Sequence, residues 1–181
     1  DNLAIGYQAM TTNTAGGTRN VAVGNYALDA LTSGDFNVAV GYNAGTTLTD
    51  TDGMTAIGDS ALASATTGSY NTAVGYLALT ANTTGVNNVA VGKDSLDSNT
   101  TGSSNVAVGV DSLQGNVTGA SNVAIGMQAL KTNTADANIA IGGGAAEANS
   151  SGTRNIAIGH DAYTASDTED DNIAIGYNAM T

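Results

Sequence analysis

A glycine returns along this chain at Gly6, Gly24, Gly41, Gly58, Gly75, Gly92, Gly109, Gly126, Gly142, Gly159 and Gly176, at intervals of 18, then six of 17, then 16, 17 and 17 residues. A period this strict over residues 1–181 leaves one class of fold. The chain must wind into stacked turns, because no single turn buries its own apolar face. Counted from each glycine as position zero, position −2 is Ala in all eleven copies and −1 is Ile or Val. Position −3 is Val, Ile or Leu except at Thr55 and Thr72, and −4 is Asn except at Met54. Alternation of β-branched residues around a small one is a strand with two unlike faces.

After the glycine come two variable residues, then Ala or Ser at +3 and usually Leu or Met at +4, which read as a second short strand. A polar corner follows, as in Asn82-Thr83-Thr84-Gly85 and Asn99-Thr100-Thr101-Gly102. Asn and Gly tolerate turn geometry, and no 3.6-residue periodicity supports a helix. The expectation is an all-β, parallel β-solenoid of eleven turns of about 17 residues, forming one continuous array over 1–181. At the strand spacing of ~4.8 Å it would be a rod of roughly 50 Å.

Stacking puts like residues over like. Asn2, Asn20, Asn37, Asn71, Asn88, Asn105, Asn122, Asn138, Asn155 and Asn172 would form a structural amide ladder. The −3 and −1 columns would supply an aliphatic core. A turn with about three large apolar side chains, each contributing ~1.5–3 kcal/mol when buried, poorly offsets ~1–2 kcal/mol per residue of backbone entropy over such a turn. That deficit points to packing against other copies. The small −2 face is the expected oligomer contact: Ala22, Ala39, Ala56, Ala73, Ala90, Ala107, Ala124, Ala140 and Ala157. The alternative is that −2 lines a narrow single-chain interior.

Sixteen acidic against four basic residues give a net charge of −12. This argues against nucleic acid or an anionic membrane as partner, since both need a cationic patch. Cys is absent, so no disulfide stabilises the chain. No stretch approaches the ~20 apolar residues of a membrane span. The sequence opens and closes inside a repeat, as expected of a piece of a longer fibre.

Asn20-Val21-Ala22-Val23-Gly24, Asn122-Val123-Ala124-Ile125-Gly126 and Asn155-Ile156-Ala157-Ile158-Gly159 resemble the N-S-V-A-I-G motif of YadA-like head domains. Those are the heads of trimeric autotransporter adhesins, and similar repeats occur in phage tail fibres. The resemblance implies a left-handed β-roll, three chains side by side as a homotrimer, an extracellular place on a cell surface or virion tail fibre, and a role in attachment. The implied partner is a host-surface glycan or protein receptor. Asn here precedes the aliphatic residue directly, and the turn carries an added Asn-Thr-Thr-Gly corner, which points toward a fibre relative.

Catalysis finds little support: the single histidine, His160, lies beside Asp161 with no nucleophile column. Asp50-Thr51-Asp52-Gly53 makes Asp50 and Asp52 candidate Ca²⁺ ligands, alternating carboxylates before a glycine, against the reading of a solvated acidic corner. The run Asp167-Thr168-Glu169-Asp170-Asp171 is a second such cluster. Thr at +8 in seven of ten copies, with Thr-x-Thr at Thr12 to Thr14, Thr47 to Thr49 and Thr132 to Thr134, raises an ice-binding solenoid as the alternative function. That array is broken at +6 in most turns. Receptor contact is expected in the variable +1 column, at Tyr7, Tyr42, Tyr76 and Tyr177, because Tyr offers contact area at low entropic cost. Four N-x-Ser/Thr triplets, at Asn82, Asn99, Asn116 and Asn149, read as turn chemistry.

Overall fold

The computed structural model describes residues 1–13, 15–164 and 168–181. Its elements are three-residue strands: β1 (Leu3–Ile5), β2 (Val21–Val23), β3 (Val38–Val40), β4 (Thr55–Ile57), β5 (Thr72–Val74), β6 (Val89–Val91), β7 (Val106–Val108), β8 (Val123–Ile125), β9 (Ile139–Ile141), β10 (Ile156–Ile158) and β11 (Ile173–Ile175). They pair in parallel, in sequence order, as one sheet. Eleven strands bound ten complete turns, so the chain is a parallel β-solenoid. Register is column on column, Ala4 opposite Ala22 and Ala90 opposite Ala107. The 18- and 16-residue spacings do not disturb it, since Leu3 still faces Val21 and Val123 still faces Ile139. The added or missing residue is absorbed in the corner.

The two faces of the strand are the reverse of the sequence expectation. Ala22, Ala39, Ala56, Ala73, Ala90, Ala107, Ala124, Ala140 and Ala157 are fully buried inside their own chain. The −3 and −1 side chains stand outside, half-buried or exposed, with Val40, Ile57 and Ile125 close to two-fifths accessible. The oligomer-contact role assigned to the alanines is therefore corrected: they line the narrow single-chain interior. What fills the coil opposite them is the +3 Ala or Ser, the +4 Leu (Leu28, Leu62, Leu79, Leu96, Leu113, Leu130) and the +7 residue. The strand contributes only a methyl per turn to this thin interior, and the larger side chains, such as Leu28 and Leu31, come from the far wall.

The +3/+4 segment is a turn, not a second strand. At +4, Leu96 has φ +50° and Leu113 +51°, and the +2 and −5 residues are also left-handed, as at Asp94 (+54°) and Ser104 (+60°). Each such residue costs roughly 1–2 kcal/mol for a side chain bearing Cβ. The compensation is hydrogen bonding along the rod: Leu96 N–H donates to Ser112 O (3.0 Å), Asp94 N–H to Tyr76 O (3.0 Å) and Ser104 N–H to Val86 O (3.0 Å). Alternating left- and right-handed residues let non-strand backbone bond to the turns above and below, so the polar main chain is satisfied outside the sheet as well.

The zero-column glycines follow from this stacking. Gly109 has φ +138°, and a Cβ placed on it would lie 2.5 Å from Gly126 O. Only Gly enters that dihedral region and permits so close an approach of consecutive turns.

Candidate functional site

The −4 asparagines form a ladder that runs mainly from side chain to backbone, with amide-to-amide bonds from Asn122 to Asn105 (3.2 Å) and from Asn172 to Asn155 (3.1 Å). Asn105 is representative. Its N–H donates to Asn88 Oδ1 (2.9 Å), its Nδ2 donates to Gly119 O (2.8 Å), and its Oδ1 accepts from Asn122 N–H (2.9 Å). The same pattern runs from Asn2 and Asn20 through Asn37 and from Asn71 through Asn88, Asn138, Asn155 and Asn172. It weakens once, where Met54 offers Asn71 N–H a sulfur at 3.4 Å. A true amide ladder exists at +7, where Asn99 Nδ2 donates to Asn82 Oδ1 (2.9 Å) and Asn116 Nδ2 to Asn99 Oδ1 (3.1 Å). The asparagines of all four N-x-Ser/Thr triplets belong to this column and are fully buried, so the folded chain offers none of them to a glycosyltransferase.

Asp50 and Asp52 are engaged with different partners on the preceding turn. Asp50 Oδ1 accepts hydroxyl protons from Thr32 and Ser33, both at 2.6 Å. These bonds, Ser33 first, hold its carboxyl below the ordinary aspartate range. Asp52 Oδ1 instead accepts the Asp35 N–H (2.8 Å). Asp52 belongs to a column in which a carboxylate or hydroxyl caps a backbone N–H of the preceding turn: Asp35 takes the Thr18 N–H, Ser103 the Val86 N–H and Asp170 the Thr153 N–H. Those bonds lower the Asp35 and Asp170 carboxyls, the backbone N–H being the larger cause at each. Among the described residues no cluster of three His, Cys, Asp or Glu is arranged to hold a metal ion. Asp167 lies outside the described residues.

The +8 threonines bond along the rod. Thr49 Oγ1 donates to Thr66 O, Thr66 to Thr83 O, Thr83 to Thr100 O and Thr100 to Val117 O, at 3.0–3.1 Å. Their donors are used within the chain, as a corner role requires; Thr14 lies outside the described residues.

Tyr7, Tyr42, Tyr76 and Tyr177 all stand in solvent, half to three-quarters exposed. Tyr26, at +2 and not anticipated from the +1 column, joins Tyr7 and Tyr42 edge-on, with ring centroids 5.6 and 5.8 Å apart. Tyr76 stands apart, and Tyr177 lies against His160 at 5.9 Å. His160 Nδ1 and Asp161 Oδ2 are 2.8 Å apart on open surface. No pocket forms among the described residues, and they contain no helix long and apolar enough to cross a membrane.

What remains is a surface rather than a cleft. The −3 and −1 columns make one flat aliphatic stripe along the rod, interrupted only by Thr55 and Thr72. Ten steps of strand spacing make it about 48 Å long, and two outward columns about 10 Å wide, or roughly 500 Å². That is at the upper end of what a monomeric protein leaves in water. Comparison with protein families, with curated proteins and with solved structures finds no match to this chain.

Proposed function

We propose that this chain is a rigid section of an extracellular fibre, a left-handed β-roll that assembles side by side as a homotrimer and serves attachment at a cell surface or on a virion tail fibre. The observation that carries the reading is the aliphatic stripe of the −3 and −1 columns, broken only at Thr55 and Thr72, on a chain whose net charge is −12. Three stripes turned toward a common axis remove their Val and Ile side chains from water while leaving the acidic faces solvated. The resemblance of Asn-Val-Ala-Val-Gly to the YadA-like motif supports the same assembly, with the contact face moved from the alanines to their neighbours. Fixed geometry suits a spacer: every turn is hydrogen-bonded to the next through strand, corner and Asn ladder.

Attachment would fall to residues that vary without breaking the turn, with Tyr7 and Tyr177 the most exposed of the tyrosines and a glycan or protein receptor as partner. The test is binding of fluorescently labelled protein to a panel of bacterial and eukaryotic cells and to a glycan array. Saturable binding to at least one surface, competed by unlabelled protein and lost in the Tyr7→Ala/Tyr177→Ala variant, is expected. Absence of saturable binding on every surface would overturn the adhesive part of the reading.

A further inference from the structure

The burial pattern carries the strand's alternation beyond the strand itself. From Phe36 to Tyr42 the residues run exposed, buried, half-buried, buried, exposed, half-buried, exposed. Positions −5 and +1 thus form two outward rows, one on each side of the aliphatic stripe, at most ~20 Å apart for six residues of extended chain.

At three of the eleven levels the two rows match in kind, ring with ring twice and small with small once. Where −5 is aromatic, +1 of the same turn is aromatic: Phe36 with Tyr42, and Tyr70 with Tyr76. Where −5 is the small Ala137, +1 is Gly143. Among the described residues no ring contact joins the two rows, which lie on opposite margins of the sheet, and the ring contact of Tyr42 runs to Tyr26. Charge sets the rows apart as well. They hold three of the four basic residues, Arg19, Lys93 and Arg154, but only three of the sixteen acidic ones, Asp1, Asp59 and Asp171. The other faces share one lysine among the remaining acids, and pressing two such faces together would set like charges against each other.

We infer that the −5 row of one copy packs against the +1 row of the next at the same height, so that the matched pairs form the three seams of a closed ring around the stripe. This rests on the homotrimer proposed above and goes beyond it by naming which residues meet. Three faces about 20 Å wide enclose an axis about 6 Å from each backbone, a space that the inward Val and Ile side chains fill. The contact is head-to-tail around the axis and closes on itself, so it is heterologous yet finite. Phe36, held by the Arg19 guanidinium 5.0 Å from its ring centroid, meets the partner's Tyr42; Tyr70, leaning over Gly53, meets the partner's Tyr76. Tyr42 and Tyr76 are then seam residues and are withdrawn from the receptor surface.

The chain contains no Cys, which makes cross-linking unambiguous. In the Phe36→Cys/Tyr42→Cys variant a short bis-maleimide should link chains into covalent dimers and trimers on a denaturing gel. The single variants and the off-level Phe36→Cys/Tyr76→Cys variant should remain single chains. Ser104→Cys/Val110→Cys, whose parent side chains are small, repeats the test where no ring is removed. A trimer in solution that links from neither level pair overturns the seam and leaves the assembly standing. Linking by Phe36→Cys alone overturns it too, since that row would then meet itself. A monomeric wild type overturns the assembly on which the seam rests.

Discussion

Asn105→Ala tests the energetics of the rod at its most repeated bond. The substitution keeps the backbone N–H bond to Asn88 but removes the acceptor of the Asn122 N–H and one of two donors to Gly119 O, the other being Asn116 Nδ2. A buried N–H without a partner costs about 1–3 kcal/mol, and the second lost bond about 0.5–1.5 kcal/mol. The expected loss is therefore about 1.5–4.5 kcal/mol, which in a chain of this size lowers Tm by on the order of 10 °C. Asn105→Met should cost less, because a sulfur in this column can accept the N–H as Met54 does at 3.4 Å. Thr101→Ala on the exposed corner is the control. The readout is guanidinium denaturation followed by circular dichroism, at fixed protomer concentration so that assembly contributes equally. If Asn105→Ala matches Thr101→Ala, the ladder is decoration and the reasoning fails.

Three further outcomes follow from the same geometry. Gly109→Ala places a Cβ 2.5 Å from Gly126 O at φ +138° and should cost roughly 2–6 kcal/mol in strain and overpacking, whereas Gly143→Ala, whose nearest neighbour within its own chain would be 3.5 Å away, should lower Tm far less. Asp35, Asp50, Asp170 and Asp171 all have carboxyls lowered by hydrogen bonds, so the stability they contribute is present above the ordinary aspartate value of 3.8 and lost as pH falls through their folded values; a melt at pH 2.5 below that at pH 5 is expected, with Asp50→Asn narrowing the gap. Addition of Ca²⁺ or of chelator should leave Tm unchanged, since the Asp50 and Asp52 oxygens face different partners; a rise with Ca²⁺ that Asp52→Asn abolishes would contradict this.

The solenoid and its columns were legible because a strict period leaves no other arrangement, and the Asn column was legible for the same reason, whereas its bonds to backbone groups such as Gly119 O were not. The choice of inside and outside was not. Bulk and β-branching at −3 and −1 suggest a core, but the decisive quantity is the width of the coil, set by backbone the sequence does not announce. Leu96 and Leu113 give no sign of a left-handed conformation; in it each donates a backbone hydrogen bond to the next turn and buries its side chain in the coil. The partners of the acidic corner were not legible either: Asp50 and Asp52 alternate in sequence like ligands, and each reaches a different donor on the preceding turn. The pairing of Phe36 with Tyr42 was present in the sequence and became visible only once both rows were known to face outward.

The central claim is that the aliphatic stripe is an assembly face, and the mass of the particle in solution tests it most directly. Sedimentation equilibrium should give three times the 17.7 kDa of the chain, falling to one chain in Val106→Asp/Val108→Asp with its β-sheet circular dichroism retained. A wild-type particle of 17.7 kDa at micromolar concentration would contradict it.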